Sequence, residues 1–364
     1  MNTPLFENIL AQPVALEAVR EYQFGPGLGA LERSAKLLRQ SKRVVLTGMG
    51  ASMFACVPMR YALAAKGVAV TVVETAELLH FLDAEVDRDT AVLLVSRSGE
   101  SVETVKLLDK LVRRHSPTIG VVNVPGSTLA QRSAERIVLN SPADQLVAVQ
   151  TYIATLVTLL LLATAYSGEL DEAQADLAAT IAELGPWIEK CRAASRAAQA
   201  FTELTTPLYI LSRGSGLGSV DEGVLLMHEV AKTPATGMSI AQFRHGFVEA
   251  ADERIRAVVI GTQPVTSAFD RHFAMDLVKM GVAVRWIGPL EGGSSIETLG
   301  GTWPENARPR FASVLEVVPL QLLAYGTAVS RGLTPGDFRW ASTVTGSEAG
   351  FPGLPGLPAA DQRG

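Results

Sequence analysis

Along most of the chain, short apolar runs rich in β-branched residues alternate with stretches whose apolar positions recur at helical spacing. The pattern predicts helices over 15–22 and 28–40, then strands over 42–47, 68–73, 91–95, 118–124 and 136–139 with helical segments between them, the first over 53–65. A helical stretch over 171–201 leads into a second series: a strand over 207–212, a Gly-rich turn over 213–218, a helix over 219–233, a strand over 257–261, a helix over 265–280 and a strand over 282–287. Strands and helices alternating at this spacing imply parallel sheets covered on both faces. The reading is therefore an α/β protein made of two doubly wound parallel-sheet domains related as a repeat. N-terminal helices occupy 1–40, the first domain 41–168, a helical linker 169–204, the second domain 205–333 and a C-terminal tail 334–364.

Residues 146–166 carry no charge and are long enough to span a bilayer. The stretch contains Gln150, Thr151, Tyr152, Thr155 and Thr158, follows Asp144 and has no flanking Lys or Arg. It is read as a helix covered on all sides within a fold, so no membrane partner is expected. Composition changes the picture little. With 364 residues, 48% apolar and 19% charged, and a formal charge of −5, the chain is a well-packed globular protein of more than one domain. No Lys/Arg run marks a nucleic-acid surface. The two cysteines, Cys56 and Cys191, are far apart in apolar or helical surroundings and fit a reducing cytoplasm. No secretory leader is expected from residues 1–7.

Candidate chemistry gathers at the ends of strands, where ligands of parallel sheets sit. The run Ser96-Arg97-Ser98-Gly99-Glu100-Ser101 follows the strand 91–95 and precedes apolar residues at helical spacing from Val102. Free backbone N–H groups at Ser98, Gly99 and Glu100, three serine hydroxyls and Arg97 would hold an anion there. The same pattern also fits a Ser-capped helix with Glu100 as its capping-box acid. A second polar turn ends the first strand, at Gly50-Ala51-Ser52. The Gly-rich turn 213–218 is a weak dinucleotide signal, and no acid follows a next strand at the spacing a ribose would require, so no cofactor is implied. His80, His115, His228 and His272 have no acid at a ligand spacing and no second His nearby, so no metal is expected.

These turns resemble the phosphosugar-binding pattern of the sugar isomerase (SIS) family. The second half resembles the isomerase part of glucosamine-6-phosphate synthases, through Glu222-Gly223 leading to His228-Glu229, through Gln242-Phe243-Arg244-His245-Gly246, and through the run from Val318 to Tyr325. The steps from Glu222 to Glu229 and on to His245 match that group. The resemblance covers residues 41 to 345 and implies a double SIS fold, without a glutaminase domain. It places a phosphosugar on Ser52, Ser96, Ser98, Glu100 and Ser101, where the charge of Arg97 would add to the binding, with Glu222, Glu229 and His245 as catalytic residues. It also implies that His245 reaches a neighbouring subunit's active site, hence a homodimer with shared sites. Three departures stand out. Ser342 occupies the place of a tail lysine, Asp144 to Thr151 lacks the expected Ser-Thr-Lys run, and Ala51 replaces a hydroxyl residue while Arg97 adds a cation.

The spacing of the acids has a meaning of its own. Seven residues are two helical turns, so Glu222 and Glu229 share one helix face. Moving a proton between C1 and C2 of a sugar phosphate needs a carboxylate beside the carbon, a proton donor for ring opening and a fixed phosphate. Glu229 is the candidate base and His245 the candidate for ring opening. The expected function is aldose–ketose isomerisation or deamination of an amino-sugar phosphate, with a sulfonate as another terminal anion that Arg97 would suit. The alternative is a non-catalytic phosphosugar sensor; the first 40 residues are too short for a helix-turn-helix domain with its own core and lack a basic recognition helix.

Overall fold

The computed structural model describes residues 3–197, 201, 206–290, 295–340, 346 and 348. Ser342, the residues around it and the Gly/Pro-rich stretch 350–358 lie outside them. The chain opens on α1 (Pro4–Leu10), α2 (Gln12–Gln23) and α3 (Leu28–Gln40). The first sheet contains β1 (Arg43–Gly48), β2 (Val70–Glu74), β3 (Thr90–Val95), β4 (Thr118–Val122) and β5 (Glu135–Val138). Its helices are α4 (Ala51–Phe54), α5 (Cys56–Ala64), the short α6 (Thr75–Glu77), α7 (Val102–Arg113) and α8 (Thr128–Arg132). Two long helices follow, α9 (Gln150–Ser167) and α10 (Leu170–Ala197). The second sheet contains β6 (Leu208–Ser212), β7 (Ala235–Ser239), β8 (Arg256–Ile260), β9 (Ala283–Ile287) and β10 (Glu297–Thr298). With it come α11 (Leu217–Glu229), α12 (Ile240–Arg244), α13 (Ser267–Lys279) and the closing α14 (Ala312–Ser330).

Both sheets are wholly parallel and five-stranded, with orders β2-β1-β3-β4-β5 and β7-β6-β8-β9-β10. The second order repeats the first strand for strand, so the expected α/β repeat is what the chain forms. β3 and β4 are buried along their whole length, which is why they read as unbroken apolar runs. One connected core joins both sheets to α9, α10 and α14. α9 is buried from Gln150 through Ala165, as its charge-free sequence requires, and α14 is a second apolar helix of the same kind, buried over nearly all of its length. The stretch 171–197 is thus no loose connection: Leu177, Leu184, Trp187 and Ile188 are buried, and α10 packs on α2 and α14.

Several predicted elements shift, each for a local reason. The helix expected over 53–65 is two helices that meet at Ala55. The strand expected to run to Val124 leaves the ladder at Asn123, whose N–H donates to the Arg97 carbonyl at 3.0 Å. The helix expected to reach Thr233 ends at Glu229, followed by Lys232 in the left-handed region at φ 54°.

Candidate active site

The loop after β3 is held open by its own backbone. Ser96 N–H extends the strand pairing to the Val121 carbonyl at 3.0 Å, and the Ser96 hydroxyl accepts from the Gly99 N–H at 3.1 Å and lies 3.4 Å from the Ser101 hydroxyl. Gly99 sits at φ 67°, and a Cβ there would come 2.2 Å from Ser127 Oγ, so only glycine fits this turn. Glu100 does not act as a capping acid: its carboxylate accepts from the Thr128 N–H at 2.6 Å and ties the loop to α8. The helix itself begins later than expected. Ser101 is the N-cap of α7 and its hydroxyl makes no capping bond, so the unpaired amides belong to the turn beginning at Val102, beyond Ser98, Gly99 and Glu100.

Other helix starts at this end of the sheets already hold an internal carboxylate. Asp144, which is buried, accepts from the N–H groups of Val149, Gln150 and Thr151 and from the Thr151 hydroxyl at 2.6–3.1 Å, closing the start of α9. Beside the start of α13, buried Asp270 receives Arg213 Nε at 2.6 Å and the Thr266 hydroxyl at 2.7 Å. The N-terminus of α7, with serine hydroxyls beside it, has no such carboxylate bound to it among the described residues, and it is where an incoming anion is favoured.

The acids lie across from this loop on α11. Gly50, at φ 49° in the turn after β1, packs its α-carbon face toward Leu225, which lies between Glu222 and Glu229 on α11. Closer still, a Cβ on Gly218 would meet the Phe54 carbonyl at 2.7 Å, so glycine lets the start of α11 touch α4. Ser52 is half-buried in that turn. Glu222 is fully buried; its Oε2 accepts from nothing among the described residues, and burial and then the charge of Glu229 push its proton affinity well above the ordinary carboxylate range. Nearby Tyr152 is also buried; its hydroxyl has no partner among the described residues, and burial and then the Glu222 charge raise its proton affinity.

Glu229, half-buried at the end of α11, is raised to about 7 by burial, against the opposing pull of Lys232 and Arg97. That pull places Arg97, from the loop after β3, within electrostatic reach of Glu229. Lys232 turns back to donate to the Glu229 carbonyl and reaches the Asp337 carbonyl, with the Phe338 ring at 6.0 Å. Burial and then the nearby Arg339 lower its proton affinity. A cavity of about 300 Å³ opens beside these groups, lined by Asn8, Leu146, Pro335 and Asp337 among others. Arg97 Nη1 meets the Leu146 carbonyl on its wall at 3.4 Å. Two carboxyls of different exposure thus share one helix, both with proton affinity raised by burial, a pattern that marks candidate acid–base sites.

The structure thus gathers Ser96, Ser98 and Ser101 on one loop and brings Arg97 toward Glu229, with Glu222 beneath. It leaves Glu100 engaged with α8. His245 caps α12 in an exposed position, and among the described residues it makes no side-chain bond or ion pair with Glu229. Two neighbours of the acids, Tyr152 and Lys232, escaped sequence reasoning, as did Glu316 at the end of the second sheet. The last is a fully buried carboxylate held by Ser219, Thr262 and Ser313. None belongs to a periodic pattern or a short motif. Among the described residues no three His, Cys, Asp or Glu side chains gather as a metal site.

Residues 37–165 match the SIS domain family. The matched segment runs from the end of α3 into α9, about a third of the chain. The second sheet repeats its topology, and the chain as a whole is similar to the glutamine–fructose-6-phosphate aminotransferase of Pyrobaculum aerophilum, at 25% identity over 347 residues. That match covers 94% of this chain and 57% of the relative. The corresponding enzyme of Pyrococcus horikoshii is 26% identical, with 91% and 55% covered. The chain therefore spans little more than half the length of these curated relatives. Among solved structures, the C-terminal domain of glucosamine-fructose-6-phosphate aminotransferase from Francisella tularensis superposes with a TM-score of 0.81 at 18% identity, covering 93% of this chain and 99% of that one. Tagatose-6-phosphate ketose/aldose isomerase from Escherichia coli gives 0.76 at 17% identity, with 92% and 95% covered. Glucosamine-6-phosphate deaminase from Thermotoga maritima gives 0.73 at 18%, with 93% and 98% covered. The SIS fold is shared throughout.

Proposed function

We propose that this protein moves a proton between C1 and C2 of a sugar phosphate, as an aldose–ketose isomerase or an amino-sugar-phosphate deaminase. The observation that carries the reading is Glu229: a half-buried carboxyl raised to about 7, on the helix facing an anion loop whose Arg97 reaches toward it. The sugar's phosphate sits on the hydroxyls of Ser96, Ser98 and Ser101 and the first amides of α7. With the phosphate fixed there, Glu229 takes the proton from the carbon next to the carbonyl, giving an enediol or enolamine, and returns it to the neighbouring carbon. Glu222, its proton affinity raised by burial, stands behind the base as the second acid of the helix face. Names of similar proteins, which include a ketose/aldose isomerase and a deaminase, fit both versions of this one shuttle. His245, exposed in the single chain, acts on ring opening from across a dimer interface. The two buried free cysteines suit a cytoplasmic enzyme.

Proton NMR in deuterated water, with a panel of hexose and amino-hexose 6-phosphates, tests the reading. Loss of a C1 or C2 proton signal that disappears in Glu229→Gln is the expected result. Binding of the same sugars with no exchange by the wild type would instead identify a sensor.

A further inference from the structure

The repeat extends beyond the strands to the site itself. The site described above is framed by the ends of β1 and β3 and by α11, which comes from the other half. The equivalent frame around the second sheet consists of the ends of β6 and β8 and α5. The packing is reciprocal: α11 touches α4, and α5 touches the 214–216 turn that follows β6. In this mirrored position lies a second cavity of about 300 Å³, lined by Ser215 and Gln263 from the strand ends and by Pro58, Tyr61, Ala65 and Lys66 from α5 and the turn after it.

Counting from the ends of the two central strands shows what this cavity lacks. Glu222 and Glu229 stand ten and seventeen residues after Ser212, the last residue of β6; the same steps after Gly48, the last of β1, reach Pro58 and Ala65. Both line the cavity, so the two places that hold carboxyls in one site hold apolar groups in the other. The anion position differs as well. The loop after β8 is filled by Asp270 with Arg213 and Thr266, while Lys66 and Arg310 stand on the cavity wall, both paired to Glu169. Arg310 spends Nε on Asp176 and Nη1 on Glu169, and its Nη2 has no partner among the described residues.

We propose that this second cavity is a binding site without chemistry: it takes a hexose-sized polyhydroxy compound with one anionic group, the anion on Arg310 and Lys66 and the hydroxyls on Ser215 and Gln263. Tyr61 offers a ring face to the apolar side of the sugar. No carboxyl stands at positions 58 and 65, and the one carboxylate on the cavity wall among the described residues, Glu169, is engaged by Lys66 and Arg310, so a bound sugar keeps its protons. The site stands whether or not the first one is catalytic.

The probe is glucitol 6-phosphate, a reduced hexose phosphate with no carbonyl to enolise, titrated calorimetrically into the full chain. The expected result is two molecules per chain in the wild type and one in Ala65→Trp, where an exposed position is used to fill the cavity. The double variant Lys66→Met with Arg310→Met, which keeps the cavity's shape, is expected to weaken the second event at least tenfold. Arg97→Met weakens only the first event, so a failure of the proposed catalytic site and a failure of this one read out separately. A stoichiometry of one that neither Ala65→Trp nor the double variant changes would overturn the proposal.

Discussion

Glu229→Gln separates the stability of this fold from its chemistry. A carboxyl with a midpoint of about 7 in the folded chain and 4.5 unfolded binds more protons when folded between those values. Stability therefore falls as pH rises through that window, and below the unfolded midpoint the group contributes nothing. Converted, the difference amounts to about 3 kcal/mol once Glu229 is fully ionised, which partial exposure trims to about 2. Gln carries no charge at any pH. The variant is thus expected to be more stable than the wild type by about 2 kcal/mol at pH 8 and equal to it within error near pH 4.5. Urea unfolding followed by circular dichroism at both pH values measures the gap. In the exchange assay the same variant is expected to lose about 10²- to 10⁴-fold, the usual contribution of a general base. A pH-independent gap, or a less stable variant at pH 8, would show that Glu229 is not a desolvated carboxyl and remove the physical basis for calling it the base.

Lys232→Met withdraws a cation that holds Glu229 toward its ionised form, so the acid limb of the exchange–pH profile is expected to move upward by about one unit, while Lys232→Arg keeps it in place; identical profiles for the two variants would contradict the coupling. Gly99→Ala forces a side chain into Ser127 at a left-handed residue and is expected to cost about 2 kcal/mol and to weaken sugar-phosphate binding together; thermal melts and calorimetry check both.

What was legible in the residues follows from burial. β1, β3, β4 and β8 are central strands covered on both faces, so their apolar runs stand out, and α9 announces itself by lacking any charge over its whole length. The edges do not: β7, Ala-Thr-Gly-Met-Ser, is a half-exposed edge strand with a glycine in it, and β10 is two residues long. Both went unpredicted. The acid pair was legible because a seven-residue step on a helix has one geometric meaning. The bond from Thr128 to Glu100 was hidden because a capping motif reads the same way whether its acid turns back to its own helix or across to another. Lys232 was hidden because its role depends on a left-handed backbone that brings it back over Glu229 and toward Asp337, and no local pattern marks that return.

The apolar pair α9 and α14 also has a consequence for the making of this protein. α14 packs on α9, α10 and α11 and comes from residues 312–330, near the end of the described chain. A ribosome has therefore emitted the whole of α9, eighteen residues without a charge, long before the helix that helps to cover it exists. α2, α3 and α5, made before α9, cover most of it, so what stays open until synthesis reaches that point is the side of α9 that meets α14, together with the faces of α10 and α11 on which α14 packs, a surface that hydrophobic-binding chaperones recognise. A chain that stops between α11 and residue 312 is therefore expected to aggregate through the uncovered faces of α10 and α11.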